Sequence, residues 1–380
     1  MEPNKIRILT LINNLRFGGA EVMTLNILKR LNSNLFTNIV CCLGGPEDLK
    51  DEYEKSGCKV IYLNTRTKVL FANIANLVKV IQREKIHIIS AHLTPSILYG
   101  PLCAKLMRKP VVMTVHSQLA FKSKKLIFME SFFAKLCDRV IAISDAVKND
   151  IFWFYGIDPK MVRLIWNGSD PQKFDPKKYI NVVSDCRSKW GLPESAFVVA
   201  TVASFTKNKN HHKLISSLES LKKKIPQIKL FLIGDGHLRK DLEAQVERLG
   251  LKNEVIFAGN QKDIPGCLSV IDLFVLPSIW EGFGIVLVEA MLMEKPVVAT
   301  NVGSMKDIVV EGKTGLLVEP DNSDSMANAI LKLFEDKAVR MSMGKEGRKR
   351  AVELFDIQKT ADSFQNVLME ITTRKAKKIT

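Results

Sequence analysis

The chain has 380 residues, of which 46% are hydrophobic and 25% charged, so a folded globular protein is expected and a disordered chain is excluded. Its formal net charge of +16 at pH 7 favours an anionic partner, whether nucleic acid, a phosphate-bearing small molecule or an acidic membrane surface. No apolar run approaches the roughly 18 residues that a membrane-spanning helix needs.

Thirteen short runs rich in Val, Ile and Leu predict strands buried on both faces. In the first half they lie at 5–12, 37–43, 58–63, 86–91, 110–116, 139–143 and 161–166. In the second half they lie at 197–203, 228–233, 254–258, 271–276, 296–300 and 314–318. Helical stretches of about ten to fifteen residues separate many of these runs, and this alternation predicts βαβ units and parallel sheets.

The stretch 167–196 interrupts this rhythm with several Gly and Pro residues, and it is the best candidate for a linker. We therefore predict two doubly wound domains in tandem, over 1–180 and 190–358. A final helix over 359–380 could cross back to the first domain. Ligands of doubly wound sheets bind outside the carboxyl ends of the strands, so two facing domains would offer a cleft lined by post-strand loops.

The seven cysteines are odd in number and lack any C-x-x-C spacing. This pattern indicates reduced thiols in the cytoplasm and argues against a disulfide scaffold or a zinc site. Residues 1–5 run straight into the first strand, so no signal peptide is visible. We therefore expect a cytoplasmic protein that, where a membrane matters, lies on its surface.

The segment 276–291 carries the strongest functional signal. A strand ends at Pro277, a glycine-rich turn follows at Gly282, Phe283 and Gly284, and an apolar helix begins near residue 285. Free backbone N–H groups in this turn and at the helix start would attract a phosphate. Glu289 lies inside the apolar run, where a carboxylate needs a partner. The residues alone leave open whether ribose hydroxyls or a structural Lys or Arg provide it.

Two glutamates, Glu281 and Glu289, set in the pattern PSxxEGFG, resemble the signature of glycosyltransferase family 4. The resemblance implies a retaining enzyme with two Rossmann-like domains facing across a cleft, the B-type glycosyltransferase fold. It further implies an acceptor-binding first domain and a donor-binding second domain. In the second domain, Glu281 would contact the donor sugar and Glu289 the nucleotide ribose.

The glycine pair Gly18-Gly19 follows the first strand, and backbone amides in such a turn can approach a phosphate closely. Alone, the pair predicts only a turn. In the form GGAE it resembles the family loop that contacts the donor phosphates or the acceptor.

A basic loop follows the first strand of the second half, and its lysines can neutralise a diphosphate leaving group. Lys209 matches the family's lysine, whereas Ser204 stands where the family usually has an arginine. Either Ser204 donates a hydroxyl hydrogen bond, or Lys207 or another basic residue supplies the second charge. The alternative is a solvated basic loop. Arg239, beyond a Gly-Asp-Gly turn, is a further candidate for phosphate contact.

Two histidines end predicted strands of the first half. A histidine in such a place is more often structural, but the resemblance implies that His116 lies near the donor sugar and the acceptor. His92 could contact the acceptor or be structural. No D-x-D occurs and the six histidines lack metal-ligand spacing, so we expect no metal and no cofactor beyond the nucleotide sugar.

The segment 119–137 mixes lysines with four phenylalanines, a composition that suits a helix lying on an anionic membrane. The alternative is a core helix with a solvated basic end. No recognition motif for nucleic acid is present, so binding to nucleic acid is not expected.

Together these features predict a retaining, metal-independent transferase for a hexosyl or N-acetylhexosaminyl group. The donor would be a nucleotide sugar, with UDP favoured, and the acceptor a glycan or a lipid-linked glycan of the cell envelope or an exopolysaccharide. The alternatives are an epimerase or a phosphorylase on the same fold, or a non-catalytic module that binds nucleotide sugar or membrane.

Overall fold

The computed structural model of the chain describes residues 5–45, 47–63 and 70–376. The chain divides into two compact units, one formed by residues 1–168 with 357–380 and the other by residues 169–356. The predicted boundary after residue 180 therefore falls inside the second unit. The last helix begins at residue 357 and is counted with the first unit.

The first unit contains a seven-stranded parallel sheet. Its strands are β1 (Ile6–Ile12), β2 (Phe36–Cys42), β3 (Lys59–Tyr62), β4 (Ile88–His92), β5 (Val111–Val115), β6 (Arg139–Ala142) and β7 (Val162–Leu164). Their order across the sheet is β3-β2-β1-β4-β5-β6-β7. The order reverses beside β1, which is the point where doubly wound sheets bind their ligands.

The second unit contains a six-stranded parallel sheet. Its strands are β8 (Phe197–Val202), β9 (Ile228–Ile233), β10 (Val255–Gly259), β11 (Leu273–Leu276), β12 (Val297–Thr300) and β13 (Gly315–Val318), in the order β10-β9-β8-β11-β12-β13. All thirteen predicted strands therefore form within the described part of the chain, with their ends shifted by at most two residues.

Fifteen α-helices accompany the sheets in the described residues. They are α1 (Gly19–Leu28), α2 (Lys50–Lys55), α3 (Leu70–Arg83), α4 (Ser96–Leu106), α5 (Lys124–Ala134), α6 (Asp145–Asp150), α7 (Val183–Lys189), α8 (His211–Lys224), α9 (Arg239–Arg248), α10 (Ile264–Ser269), α11 (Ile285–Leu292), α12 (Met305–Ile308), α13 (Ser323–Glu335), α14 (Lys337–Leu354) and α15 (Ile357–Ala376). A π-helical turn, Ile151–Tyr155, follows α6. No helix in the described ranges is both long enough and apolar enough to cross a membrane.

Helix α15 is fixed to the first unit by polar contacts as well as by packing on α1. The Glu370 carboxylate on α15 forms salt bridges with Arg139 and, at 3.5 Å, with Arg163. The Thr360 hydroxyl donates to the carbonyl oxygen of Trp166 at 2.9 Å. Helix α15 is therefore tied to β6, to β7 and to the loop that follows β7.

Candidate functional site

The glycine-rich loop after β11 is held by hydroxyl groups from the next segment of the chain. The Thr300 hydroxyl donates to the carbonyl oxygen of Ser278 at 2.5 Å, and the Ser304 hydroxyl donates to that of Phe283 at 2.8 Å. Gly284, the residue before α11, has a φ of 82°, a left-handed conformation that glycine adopts without strain. The loop therefore has a fixed path into the start of α11.

Two of the predicted donor-site residues, Lys209 and Glu281, are brought together although 72 residues separate them. The Lys209 ammonium donates to Glu281 Oε2, and the Ser278 hydroxyl donates to the same oxygen at 3.3 Å. The side chains are only 19% and 15% exposed. The Ile279 amide donates to the Asn208 carbonyl oxygen at 2.7 Å, which ties the two loops together. A shielded cation and carboxylate thus lie at the carboxyl ends of the neighbouring strands β8 and β11.

Glu289 lies on α11 between apolar residues, as the sequence indicates. Burial raises the pKa of its carboxyl to about 7, against a smaller opposing effect of the Lys173 charge. No residue in the described ranges forms a hydrogen bond or an ion pair with this carboxylate. The structural bridge considered as an alternative is therefore not formed by the described residues, and the carboxylate remains available to a ligand.

The other basic candidate of the second unit, Arg239, is already engaged. Its guanidinium pairs with Glu243 at 2.6 Å and with Asp235 at 3.6 Å, and it lies over the ring of Phe257. Two carboxylates therefore balance its charge. Phosphate contact by Arg239 stays a prediction, and a phosphate would have to compete with these two carboxylates.

The Gly-Asp-Gly turn that precedes Arg239 packs against the loop of Ser204. The Phe205 amide donates to the Asp235 carbonyl oxygen at 2.9 Å. A Cβ atom on Gly236 would lie 2.6 Å from the Phe205 carbonyl oxygen, so only glycine fits there. Ser204 itself is exposed at this loop, and so is Lys207. Among the described residues no salt bridge to Lys207 is present.

In the first unit, Gly18 is the residue before α1, and its carbonyl oxygen accepts from the Val22 amide at 2.9 Å. A Cβ on Gly18 would lie 2.3 Å from a carboxylate oxygen of Glu21, whereas the next glycine, Gly19, has open space. Glu21 is buried, and this burial raises the pKa of its carboxyl. A side chain at the first glycine of GGAE would therefore displace the Glu21 carboxylate.

His92 and His116, at the ends of the neighbouring strands β4 and β5, are in direct contact. His92 Nδ1 lies 2.9 Å from His116 Nε2, and His92 Nε2 lies 2.8 Å from the Ser90 hydroxyl. Burial lowers the pKa of both imidazoles, that of His116 to about 4 with a further contribution from the Lys122 charge. Both rings are therefore neutral at pH 7.

A small cavity of about 10 Å³ adjoins the two histidines. Its polar lining consists of His92, His116, Asn167, Thr360 and Thr114, and the rest is apolar. Its volume suits about one water-sized atom. His116 Nδ1 is buried without a hydrogen-bond partner among the described residues.

Glu130 is a buried carboxylate that no sequence motif indicates. Its fully buried carboxylate accepts from Lys122 at 2.8 Å, from the Tyr155 hydroxyl at 2.6 Å and from the Thr94 hydroxyl at 2.5 Å. These donors come from three segments: the loop before α5, the π-helical turn and the loop after β4. The available signal was that Glu130 is the only acidic residue between 119 and 137.

The segment around α5 exposes aromatic rings. Phe121, Phe128 and Phe132 are 53%, 76% and 58% exposed, and Trp153 and Phe154 of the adjacent π-helical turn are 86% and 41% exposed. These five residues are called the aromatic surface below. A core helix, the alternative to a membrane-facing one, would bury these rings. Trp153 and Phe154 had no place in the sequence prediction.

Metal-ligating groups are not clustered in the described ranges, where no three His, Cys, Asp or Glu residues are arranged to hold an ion. All seven cysteines are free, and six of them are buried.

Comparison with known proteins assigns the chain to a family. The model of Glycosyltransferase Family 4 matches residues 17–173, and that of Glycosyl transferases group 1 matches residues 183–350. The chain belongs to glycosyltransferase family 4. The predicted resemblance and the predicted enzyme class are thereby confirmed: the protein is a glycosyltransferase.

Similar family members cover nearly the whole chain. An Escherichia coli UDP-Gal:alpha-D-GlcNAc-diphosphoundecaprenol alpha-1,3-galactosyltransferase is 29% identical over 94% of this chain and 95% of its own length. The capsular polysaccharide biosynthesis glycosyltransferase CapM of Staphylococcus aureus is 28% identical over 86% of this chain and 87% of its own. The crystal structure of Anabaena HepE in complex with UDP-glucose has a TM-score of 0.88 at 26% identity, over 96% of this chain and 100% of that one. The predicted B-type glycosyltransferase fold is confirmed, whereas the roles of individual site residues remain predictions.

Proposed function

We propose that this glycosyltransferase moves a hexosyl or N-acetylhexosaminyl group from a UDP sugar to a lipid-linked glycan, with retention of configuration, during assembly of a cell-envelope polysaccharide. The observation that carries the proposal is the shielded Lys209–Glu281 pair, together with the unpaired Glu289 in the same unit. UDP as the nucleotide is supported by the Anabaena structure with UDP-glucose, and a lipid-linked acceptor by the name of the Escherichia coli relative.

On the donor side, Lys209 supplies the positive charge that stabilises the leaving diphosphate. A fixed cation in a shielded site stabilises developing negative charge strongly, which is the task a divalent metal performs in other transferases. We therefore propose transfer without a metal. Glu281 holds Lys209 in place and contacts the donor sugar, and Glu289 accepts hydrogen bonds from the ribose hydroxyls.

The transfer itself replaces one bond to the anomeric carbon by another. The acceptor hydroxyl oxygen forms the new bond on the face that the diphosphate leaves, and the hydroxyl proton passes to the leaving diphosphate. Of the first unit, His116 contacts the acceptor, and the loop of Gly18 and Gly19 contacts the donor phosphates or the acceptor. Positioning of the two reactants and stabilisation of the leaving group supply most of the acceleration.

The test is a transfer assay with the full chain in the presence of a metal chelator. UDP-glucose, UDP-galactose and UDP-N-acetylglucosamine are each incubated with vesicles that contain a polyprenyl-diphosphate-linked sugar. We expect one donor to give a labelled lipid product, and Lys209→Met to form that product far more slowly. Conversion of a donor into its epimer without acceptor would refute the proposal, and so would binding of donors without any product.

The acceptor side is also proposed to lie on an anionic membrane, through the aromatic surface. Exposed aromatic rings beside cationic side chains suit the interface between headgroups and acyl chains. Between residues 119 and 137 every exposed charge is a lysine, because the single carboxylate, Glu130, is buried. The free thiols agree with a cytoplasmic face, where thiols stay reduced.

Sedimentation with vesicles of phosphatidylglycerol and phosphatidylcholine tests this surface. We expect Trp153→Ser and Phe128→Ser to bind these vesicles less tightly than the wild type. Met341→Ser, which removes a 53% exposed side chain of the second unit, serves as the matched control and should bind like the wild type. Equal binding of all four proteins would exclude the aromatic surface as the contact.

A further inference from the structure

The hydrogen bonds around His92 restrict where its proton can lie. The Thr24 hydroxyl donates to the Ala20 carbonyl oxygen at 2.8 Å, and the Thr24 oxygen lies 3.4 Å from His92 Nδ1. Because the hydroxyl hydrogen is already engaged, Thr24 can offer only a lone pair to this ring nitrogen. A proton on His92 Nδ1 is therefore favoured, because a lone pair on this nitrogen would face the lone pair of the Thr24 oxygen.

Two arrangements of the protons are possible along the chain Ser90, His92, His116. In the first, Ser90 donates to His92 Nε2, and His92 Nδ1–H donates to His116 Nε2, so the proton of neutral His116 lies on Nδ1. In the second, His116 Nε2–H donates to His92 Nδ1, and His92 Nε2–H donates to the Ser90 hydroxyl oxygen. The second arrangement leaves the buried Ser90 hydroxyl hydrogen without an acceptor and places the lone pairs of Thr24 and His92 Nδ1 face to face.

The first arrangement leaves a single group without a partner, the Nδ1–H of His116. This nitrogen is buried and has no partner among the described residues. An unmade hydrogen bond in a buried place is unfavourable, so the group should pair when an oxygen reaches it. The adjoining cavity of about 10 Å³, lined by both rings, is the size of one such atom.

We propose that His92 is a positioning residue that holds His116 as the neutral tautomer protonated on Nδ1, so that His116 donates a hydrogen bond to a substrate oxygen and does not act as a base. The oxygen belongs to a sugar hydroxyl or to a phosphoryl group. This assignment of the ligand rests on the proposed transfer, whereas the tautomer itself rests on geometry alone.

The tautomer is read directly from multiple-bond ¹H–¹⁵N spectra of the full chain labelled with ¹⁵N-histidine. Because the chain has six histidines, His92→Asn and His116→Asn variants assign the two resonance sets. At pH 7 we expect both rings to be neutral and protonated on Nδ1. A proton on Nε2 of His116, or rapid exchange between the two forms, would overturn the proposal. The spectra need no donor or acceptor, so they are independent of the proposed function.

Kinetics with the transfer assay separate positioning from mere packing. Asparagine at position 92 keeps an N–H close to that of imidazole Nδ1, whereas leucine keeps only the bulk. We expect His92→Leu to lower kcat by about tenfold, equivalent to one neutral hydrogen bond, and His92→Asn to recover most of that loss. The KM for the donor should stay unchanged in both variants. Equal losses in the two variants, or a changed KM with a normal kcat, would overturn the positioning role.

Discussion

Replacing Glu289 with glutamine should stabilise the protein and weaken its binding of the donor. The carboxyl has a pKa of about 7 in the folded protein, against an ordinary value of 4.5, because burial disfavours its charged form. A folded pKa above the unfolded one means that ionisation destabilises the fold. This cost is absent below about pH 4.5, grows as the pH rises and is complete above pH 7. At about 1.4 kcal/mol per pH unit it amounts to about 3 kcal/mol at pH 8.

Urea unfolding of Glu289→Gln and wild type at several pH values measures this gain. We expect the variant to be more stable by about 3 kcal/mol at pH 8, by less at pH 6, and by almost nothing at pH 4.5. The neutral amide has nearly the same shape as the carboxyl, so packing is conserved. A variant that is less stable at pH 8 would show that Glu289 has a favourable partner in the folded protein, contrary to the structure.

Donor affinity should change in the opposite direction. Ribose hydroxyls donate more strongly to a carboxylate than to a neutral carboxyl group, so wild-type affinity should rise through pH 7, by about tenfold between pH 6 and pH 8. UDP-glucose is the suitable ligand for calorimetry, since its diphosphate has no terminal phosphate that titrates in this range. The glutamine variant should bind UDP-glucose more weakly at pH 8, and its affinity should not change with pH between 6 and 8. A slope that persists in the variant would assign the pH dependence to another group.

Three further predictions concern other parts of the structure. Lys209→Met should lower kcat by roughly 100-fold, the loss expected when one fixed stabiliser of the leaving group is removed, and turnover near that of the wild type would exclude this role. Glu130→Leu should lower the free energy of unfolding by about 3 kcal/mol because it leaves the Lys122 ammonium without its carboxylate partner. Tyr155→Phe removes only one hydrogen bond to Glu130 and should lower it by about 1 kcal/mol. Equal losses for the two variants in urea unfolding would contradict this order. Gly236→Ala should lower the melting temperature, because its Cβ would lie 2.6 Å from the Phe205 carbonyl oxygen. An unchanged melting temperature would show that the turn can move to accommodate the methyl group without loss of stability.

The fold was largely predictable from the sequence because parallel strands buried on both faces appear as continuous apolar runs. Strand β5, for example, is buried at all five positions and carries no polar residue except Thr114. The boundary between the units was harder to predict from the sequence. Pro171 and Pro176 suggested a linker, but proline also begins short helices, and Pro176 starts a 3₁₀ helix within the second unit.

Local motifs indicate the candidate site residues but not the side chains with which they pair. Lys209 and Glu281 were each identified from a local motif, yet no local pattern shows that their side chains are paired. Glu130 and Trp153 were missed for a related reason. A glutamate in a basic segment suggests a solvated residue, and a tryptophan in an apolar run suggests a core residue. Only the packing of α5 against the π-helical turn makes one buried and the other exposed.

Both units use the same device, side chains at the carboxyl ends of two neighbouring parallel strands, but with opposite electrostatics. Strands β4 and β5 bring together His92 and His116, whose burial removes the charge from both rings. Strands β8 and β11 lead to Lys209 and Glu281, whose charges are compensated by each other. The neutral N–H donor in the first unit can orient a substrate oxygen by a hydrogen bond. The cation in the second unit, which Glu281 holds in place, can attract a diphosphate, and binding there should weaken as the ionic strength rises.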